Sequence, residues 1–434
     1  MAFKNFLFTL VVIPVIITGC ATYPSDNPMR TELTNGMVVL TRKCDSLPVV
    51  AISVWAKVGS ADEEKENHGI SHFLEHMLFR KKPPSGRRAS IQAEIEGAGG
   101  YLNGATSKEI TFYYAVVPKD FAEEALYLLL DLFLNPDFDE KDFAEEKKVV
   151  IEEISRKQDN PSDLAVDLLF ETLYAGHPYG HCVLGDEETI KNMPLDSLIK
   201  YHAAHYHSGN MVVSMAGDFE PEAVVKGLKT RFGEYQKRLP KVPTEAKIKK
   251  GVREATVEKN VNQVYLTLGF AGPAVENDDH IALDLLAVIL GGSVSSRLVE
   301  RLKEKEELVN AVSCQFFTQK ESGIFSVYAQ FLPGGFEKVE AIIWEELERV
   351  KNELVANEEL EKARRMIEAD FHFQREIFKD QALNFAYWEC LAALDYEKNY
   401  LAKVKKIDSG KLREIATEYL DSQNFARVII RPAS

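Results

Sequence analysis

The feature that most constrains the fold is an alternation of strand-like runs with amphipathic helices, which occurs twice along the chain. In the first half, the apolar run 49–55 favours a strand, and residues 68–79 carry apolar side chains at helical spacing. A polar segment with two prolines at 237–250 has the character of an interdomain linker. Residues 264–270 and 279–290 then repeat the strand and helix patterns. This repetition predicts two domains of similar build.

Length and composition agree with more than one folded domain. The chain has 434 residues, of which 45% are hydrophobic, and such a composition excludes a disordered chain or a coiled-coil rod. We predict a signal peptide at 1–19, a tether at 20–30, an N-terminal domain at 31–236, a linker at 237–250 and a C-terminal domain at 251–434.

The charge balance argues against nucleic acid as a partner. Lys and Arg together number 52, whereas Asp and Glu number 67, which gives a formal net charge of −15. An acidic surface repels the phosphate backbone, so we expect no nucleic-acid partner.

The N-terminal residues predict the cellular location of the protein. Lys4 precedes an apolar run at 6–17, which is too short to span a bilayer of about 30 Å but suits a signal peptide. The run ends at Thr18-Gly19-Cys20, which resembles the lipobox of bacterial lipoproteins, in which the cysteine carries lipid chains. This resemblance implies lipidation at Cys20 and a lipid-anchored location in the bacterial cell envelope, on the periplasmic side or at the outer membrane. An ordinary secretory signal is the alternative.

The segment His72-Phe73-Leu74-Glu75-His76 carries the most specific chemistry. At about 100° per residue, positions 72, 75 and 76 share one face of a helix. Two imidazoles at i and i+4 can reach a single metal ion, and Glu75 lies beside them, where a base can take a proton from water. The pattern predicts a catalytic metal centre with a general base.

A catalytic zinc site needs a third protein ligand. The stretch 145–153 is dense in carboxylates, and Glu146 and Glu153 are seven residues apart, so they lie two turns apart on one helix face. The residues alone leave open which of these acids binds the metal.

The second half lacks these ligands. Alignment of Gly59 with Gly272 places apolar residues of the second half opposite the metal-binding pattern. These residues are Leu285, Val288 and Ile289. We therefore expect one metal site and one domain without metal.

The inverted HxxEH motif, with Glu153 lying 77 residues beyond His76, resembles the pitrilysin/insulinase family, which includes the mitochondrial processing peptidases. The resemblance implies that His72, His76 and Glu153 bind one Zn²⁺ per chain. It assigns Glu75 as the general base and Glu146 as a support of the site. The implied fold is α+β, with two homologous domains, each a mostly antiparallel sheet packed against helices.

The segment Asn103-Gly104-Ala105-Thr106 has two interpretations. The residues alone favour a hairpin turn at Asn103-Gly104. The family resemblance implies instead an edge strand beside the metal, which binds an extended substrate through backbone hydrogen bonds. The function implied is a zinc-dependent endopeptidase that cleaves unfolded peptides in an enclosed chamber. A non-catalytic or peptide-sequestering zinc lipoprotein of the same fold is the alternative.

One departure from the family pattern concerns partners. Many relatives carry an Arg and a Tyr, seven residues apart, in the second domain, and the matching positions here hold Lys303 and Asn310. Lysine lacks the planar fork of arginine, and asparagine cannot replace a phenol. We expect a hetero-oligomer with a homologous subunit that supplies Arg and Tyr, with a homodimer as the alternative.

The remaining histidines have local explanations. His177 is expected to be a satisfied loop histidine. His202, His205 and His207 form a local group that we expect on the surface of a helix.

Overall fold

The structure is a computed structural model, and it describes residues 27–81, 90–233 and 248–433. The predicted signal peptide at 1–19, the lipidation site Cys20 and residues 237–247 of the predicted linker lie outside the described residues. The predicted domain boundaries therefore stay predictions.

The N-terminal half builds a six-stranded sheet and its helices. Its strands are β1 (Met29–Glu32), β2 (Val38–Lys43), β3 (Val49–Ala56), β4 (Tyr101–Thr106), β5 (Thr111–Pro118) and β6 (Met211–Gly217). Its helices are α1 (Ile70–Phe79), α2 (Ile91–Gly97), α3 (Ala122–Leu134), α4 (Glu140–Asp159), α5 (Pro161–Leu173), α6 (Glu187–Asn192), α7 (Leu195–His205) and α8 (Pro221–Phe232).

The C-terminal half builds a five-stranded sheet. Its strands are β7 (Arg253–Lys259), β8 (Val264–Ala271), β9 (Val309–Phe317), β10 (Ile324–Phe331) and β11 (Ala426–Pro432). Its helices are α9 (Asp279–Gly291), α10 (Phe336–Asn352), α11 (Asn357–Phe373), α12 (Phe378–Leu391), α13 (Leu394–Val404) and α14 (Ser409–Tyr419), and a π-helical segment spans Val299–Lys305.

The two sheets share one order of five strands, to which the first sheet adds β1 at its edge. The first has the order β1-β2-β6-β3-β5-β4 and the second the order β7-β11-β8-β10-β9. In each sheet one pair of strands is parallel, β2 with β6 and β7 with β11, and the other pairs are antiparallel. The predicted fold class, two similar domains with mostly antiparallel sheets packed against helices, is confirmed.

Each sheet buries one face against helices of its own half. The first core includes Phe73 of α1 and Leu129 of α3, and the second includes Leu286 of α9 and Ile343 of α10. Long apolar stripes on these helices remove both sheets from water, which is the main contribution to stability.

The opposite faces of the sheets are covered by exchanged helices. Helix α12, from the C-terminal half, packs on β3 and β6, where Phe385 is buried in one cluster with Trp55 and Leu40. Helix α5, from the N-terminal half, packs on β8 and β11, where Leu169 is buried with Val428. The two halves therefore interlock, because each supplies a helix that the other sheet needs.

The strand at 101–106 decides between the two interpretations of this segment. The hairpin turn expected at Asn103-Gly104 is wrong, because both residues lie within β4, which pairs with β5 along its length.

Among the described helices, none combines the length and apolar character needed to cross a bilayer.

Candidate metal centre

The start of α1 is fixed by a glycine and a buried carboxylate. Gly69 precedes the helix with φ +91°, and a Cβ at this position would lie 2.5 Å from the Leu184 carbonyl oxygen, so a side chain there is excluded. The buried Glu63 carboxylate accepts hydrogen bonds from the backbone N–H groups of Gly69 and Ser71, at 2.7 and 2.9 Å. These contacts satisfy otherwise unpaired N–H groups and favour the helix dipole.

Helix α1 presents the HxxEH face to α4 and β4. The other faces of the helix are buried in the N-terminal core, with Phe73, Leu74, Met77 and Leu78 at most 1% exposed. The side chains of the motif are therefore held by a rigidly packed element, as a metal centre requires.

Three possible metal ligands meet between α1 and α4. The His72 Nε2 atom lies 3.8 Å from Glu153 Oε1, and the His76 Nε2 atom lies 3.4 Å from Glu153 Oε2. The ligand atoms of the three residues all lie within 4.8 Å of one another. Of the described residues, only this group of His, Cys, Asp or Glu side chains has a geometry able to hold a metal ion.

The donor set fits zinc. Two imidazole nitrogens and one carboxylate oxygen are a set of protein ligands found at catalytic zinc sites, which leave a fourth position open. Burial, together with the neighbouring His76, lowers the pKa of His72 to about 4, so this imidazole is neutral and able to donate its lone pair. The hydrogen bond from His76 holds the pKa of Glu153 below its usual range, so that carboxylate is ionised.

The pKa of His76 is shifted in the opposite direction to that of His72. Burial opposes its protonation, but hydrogen bonds to Glu146 and Glu153 outweigh burial and raise its pKa to about 9. A proton on His76 Nε2 occupies the position that a metal takes, so metal binding at neutral pH has to displace it.

Glu146 orients His76 from behind. The Nδ1 atom of His76 donates to Glu146 Oε1 at 2.8 Å, which directs the Nε2 atom toward Glu153. The second carboxylate oxygen accepts from Arg80 at 2.6 Å. Although burial opposes ionisation of Glu146, His76 and Arg80 hold its pKa below the usual value. Sequence reasoning missed Arg80, for which a basic residue one turn beyond His76 was the only signal.

Glu75 lies on the same face but is not among the converging ligands. The residue is 7% exposed, and its carboxylate accepts a hydrogen bond from the Thr106 hydroxyl at 2.7 Å. Burial raises the pKa of Glu75, and the hydrogen bond from Thr106 opposes that rise. The Tyr113 hydroxyl donates to the Glu75 main-chain carbonyl at 2.8 Å, which anchors this turn of α1 to β5.

Strand β4 is the last strand of its sheet, so its outer edge has no strand partner among the described residues. Asn103, Gly104, Ala105 and Thr106 all lie on it. A Cβ at position 104 would lie 2.9 Å from the Tyr113 ring and 3.1 Å from Phe79, which explains the glycine here. Thr106, at the end of the strand, links this edge to Glu75.

Lys303 and Asn310 both lie on the surface of the C-terminal half. Lys303 is exposed within the π-helical segment, and Asn310 is exposed on β9, where its side-chain oxygen accepts from Gln263 at 2.8 Å. The structure therefore leaves both side chains on an accessible face.

Two of the other histidines, His177 and His202, have structural roles. His177 lies in a loop, as expected, where its Nε2 atom is 3.0 Å from Glu321 and its Nδ1 atom accepts from the Tyr179 backbone. The expectation of a surface position is wrong for His202, which is buried and bonded to the Phe133 carbonyl at 2.7 Å. The turn of α7 that faces the core carries this residue, and helical periodicity alone did not distinguish it.

The fold and the converging side chains define a duplicated α+β protein with one candidate metal centre. Residues 38–187 match the model of the insulinase family (peptidase family M16), and residues 192–367 match that of the peptidase M16 inactive domain. The chain belongs to the insulinase family, as the resemblance predicted.

Individual relatives support this assignment. The chain is 33% identical to an uncharacterized zinc protease of Rickettsia bellii, over 80% of this chain and 83% of the relative. It is 34% identical to the uncharacterized zinc protease YmxG of Bacillus subtilis, over 77% and 81% of the two chains. The solved structure of a protease from Helicobacter pylori superposes with a TM-score of 0.87 at 26% identity, covering 93% of this chain and 99% of the other.

Proposed function

We propose that this protein is a zinc-dependent endopeptidase that cleaves unfolded peptides in an enclosed chamber. The observation that carries the proposal is the convergence of His72, His76 and Glu153 beside a separate buried carboxylate, Glu75. A zinc ion at this position, one per chain, supplies Lewis-acid polarisation of a carbonyl group and activation of water.

The chain's own residues perform the proton transfers. Glu75 takes a proton from the attacking water and delivers it to the leaving amine, because its carboxylate is the acid on this face that is free of the ligand group. The Thr106 hydroxyl holds one oxygen of Glu75 at 2.7 Å and so fixes the direction of the other. Glu146 and Arg80 hold the His76 ring in the orientation that directs Nε2 to the ion.

The open edge of β4 is the proposed substrate platform. An extended peptide that pairs with Asn103, Gly104, Ala105 and Thr106 forms backbone hydrogen bonds, which depend on conformation more than on sequence. Because Thr106 bonds to Glu75, a peptide on this edge lies next to the base. The proposed enclosed chamber would exclude folded proteins, so the substrates are unfolded peptides.

Peptide cleavage tests the proposal. The zinc-loaded full chain is incubated with unstructured fluorogenic peptides, alone and with a homologous partner subunit. We expect cleavage that falls at least about 100-fold in Glu75→Gln, because general-base catalysis contributes about 10²–10⁴-fold. Zinc content should be unchanged in that variant.

Glu152→Gln is the matched control, because Glu152 is an exposed acid on α4 one position from Glu153. It should cleave at the rate of the original chain. Stoichiometric capture of peptide without cleavage, in every combination of subunits, would contradict the proposal and support a sequestering protein.

Assembly is part of the proposal. We propose a dimer, with a homologous subunit supplying the Arg and Tyr that Lys303 and Asn310 replace, since two such chains are needed to enclose a chamber. Activity that appears only on mixing the two subunits supports the heterodimer, and full activity of the isolated chain supports the homodimer.

The proposed location is the bacterial cell envelope, where Cys20 carries the lipid anchor. Metabolic labelling with a fatty acid should mark the original chain. The label should be lost in Cys20→Ser, and labelling that persists in that variant would contradict the anchor.

A further inference from the structure

A cavity of about 840 Å³ lies in the C-terminal half and does not include the candidate metal ligands. Its walls come mainly from α9, α11, α12, α13 and β9, and the N-terminal half contributes Phe170 of α5 and the turn 107–110 that follows β4. By element order and sheet position, α9, β9 and α11 are the counterparts of α1, β4 and α4. The cavity is thus bounded by the counterparts of the elements that surround the metal centre.

The wall of this cavity is acidic. Four carboxylate residues line it, against a single basic residue. The acids are Glu109, Asp284, Asp370 and Glu397, and the base is Lys108. Lys108 is directed away from the acids of α9 and α13, because its ammonium donates to the His181 carbonyl and lies 5.1 Å from the centre of the Phe170 ring. Glu397 has an arginine partner outside the lining, Arg375, so the unbalanced charge rests on Glu109, Asp284 and Asp370. A cavity with this surplus of negative charge favours a cation.

One of these acids is incompletely satisfied. The Glu397 side chain is 1% exposed, and its Oε1 atom accepts from Arg375 at 2.8 Å and from Asn384 at 3.1 Å. Its Oε2 atom is buried and has no hydrogen-bond partner among the described residues. An unpaired buried carboxylate oxygen is costly, and burial raises the pKa of this group accordingly. Because Glu397 lines the cavity, a cationic donor that reaches this oxygen from there would remove that cost.

Aromatic rings surround the acids. Trp388 and Tyr400 lie with their ring centres 6.4 Å apart, and Phe371 stacks on Tyr400 at 6.3 Å. The Tyr400 hydroxyl donates to Asp284 at 2.8 Å, which holds this ring against the cavity wall. The faces of aromatic rings attract cations, and the rings also cover apolar stems. A cation with an apolar body is therefore the ligand that this lining fits.

We propose that this cavity binds an alkylammonium or guanidinium group on an apolar stem. Such a group belongs either to a basic side chain of a peptide or to a free small amine. The proposal goes beyond the peptidase function and does not rest on it, because none of the cavity residues belongs to the metal centre.

Calorimetric titration of the zinc-loaded full chain with hexylammonium tests the proposal, with hexanol and hexanoate as the neutral and anionic counterparts. We expect hexylammonium to bind at least about 10-fold more tightly than either counterpart, in line with a charge-assisted hydrogen bond. Fluorescence of Trp388 should change on binding, and Trp388→Phe should remove that change.

Two variants remove acids of the cavity. Glu397→Gln and Asp284→Asn should each weaken hexylammonium binding at least about 10-fold, whereas Glu389→Gln should not. Glu389 is the matched control, because it is a buried glutamate on α12 with its own arginine partner, Arg30. Use of two acids keeps the test valid if Glu397→Gln fails to fold.

Competition experiments distinguish the two sources of the cation, a peptide side chain and a free small amine. An unstructured peptide with a single lysine should displace hexylammonium if the ligand is a peptide side chain, while its norleucine counterpart should not. Displacement by free diamines without displacement by the lysine peptide identifies a small amine. Equal affinity for hexanol and hexylammonium, or unchanged binding in both acid variants, would overturn the proposal.

Discussion

The two halves of this protein share a sheet order but place different chemistry on it. The N-terminal half presents His72, Glu75 and His76 on α1, next to the edge strand β4. The C-terminal half has the same arrangement of α9 and β9, and in the alignment of Gly59 with Gly272 the positions opposite the motif are apolar. These positions are Leu285, Val288 and Ile289.

The difference shows which part of the site belongs to the fold and which to the side chains. In both halves, a helix after the second strand of the repeat lies beside an edge strand and a later helix. Buried Leu285 and Ile289 in one copy complete a core, while imidazoles in the other converge on a carboxylate. The fold places a helix, an edge strand and a later helix together in both halves. The side chains on these elements determine whether they form a metal centre or line a cavity.

The largest effect is expected when the histidines of α1 are replaced by the aligned residues of α9. The double variant His72→Leu/His76→Ile carries the residues of α9 and should lose stoichiometric zinc entirely, because one carboxylate alone does not form a zinc site. Zinc content is measured by inductively coupled plasma mass spectrometry. Circular dichroism should remain that of the original chain, and retained zinc would show that another site binds it.

Truncation of a side chain on an exchanged helix tests whether the two halves interlock. Phe385→Ala, on α12, should lower the free energy of unfolding by about 3–5 kcal/mol, because a fully buried phenyl ring leaves a cavity on the N-terminal sheet. Native-state hydrogen exchange should rise at β3 and β6. Phe373→Ala, at a side chain that is 64% exposed, is the control and should change little. Exchange confined to the C-terminal sheet would contradict the packing.

Substitutions of the two acids of α4, Glu146 and Glu153, should differ in their effect on zinc content. Glu153→Gln removes a ligand and should lower metal content sharply. Glu146→Gln and Arg80→Ala should weaken affinity by about 10- to 100-fold, because they only orient His76. At micromolar protein and zinc, those two variants should stay largely loaded. Equal zinc content in Glu153→Gln and the original chain would show that the wrong carboxylate was assigned.

The smallest effect is expected at Thr106. Its hydrogen bond lowers the pKa of Glu75, which must be ionised to act as a base, so Thr106→Val should raise that pKa. The acid limb of the pH profile of kcat/KM should move to higher pH, by up to about one unit, because one pKa unit corresponds to the net contribution of one hydrogen bond. Thr106→Ser keeps the hydroxyl and should restore the profile; a shift to lower pH would contradict the role.

Local patterns predicted much of the N-terminal site. Helical spacing placed His72, Glu75 and His76 on one face, and α1 has that geometry because apolar residues bury its other faces. The choice of Glu153 over Glu146 came from the family resemblance, since both acids share a helix face and both lie near His76. The structure distinguishes them by the atoms they face: Glu146 lies at Nδ1 of His76, whereas Glu153 lies near the Nε2 atoms of both His72 and His76.

Two of the contacts that sequence reasoning missed join residues far apart in the chain. The bond of Thr106 to Glu75 and the support of Glu146 by Arg80 span 31 and 66 residues and depend on tertiary packing. The cap of α1 by Glu63 is local, six to eight residues away, but it lies before the helix, where apolar periodicity gives no signal. The exchange of α5 and α12 and the acidic cavity of the C-terminal half likewise follow from how elements meet. Periodicity describes one element at a time and carries no information about its neighbours.

X-ray absorption spectroscopy at the zinc edge of the stoichiometrically loaded chain tests the central claim most directly. We predict two imidazole nitrogens and light oxygen donors at about 2.0 Å, with no sulfur scattering. The signal of one imidazole should disappear in His76→Ile. Sulfur scattering near 2.3 Å, or a carefully purified chain that takes up no stoichiometric zinc, would contradict the assignment of His72, His76 and Glu153.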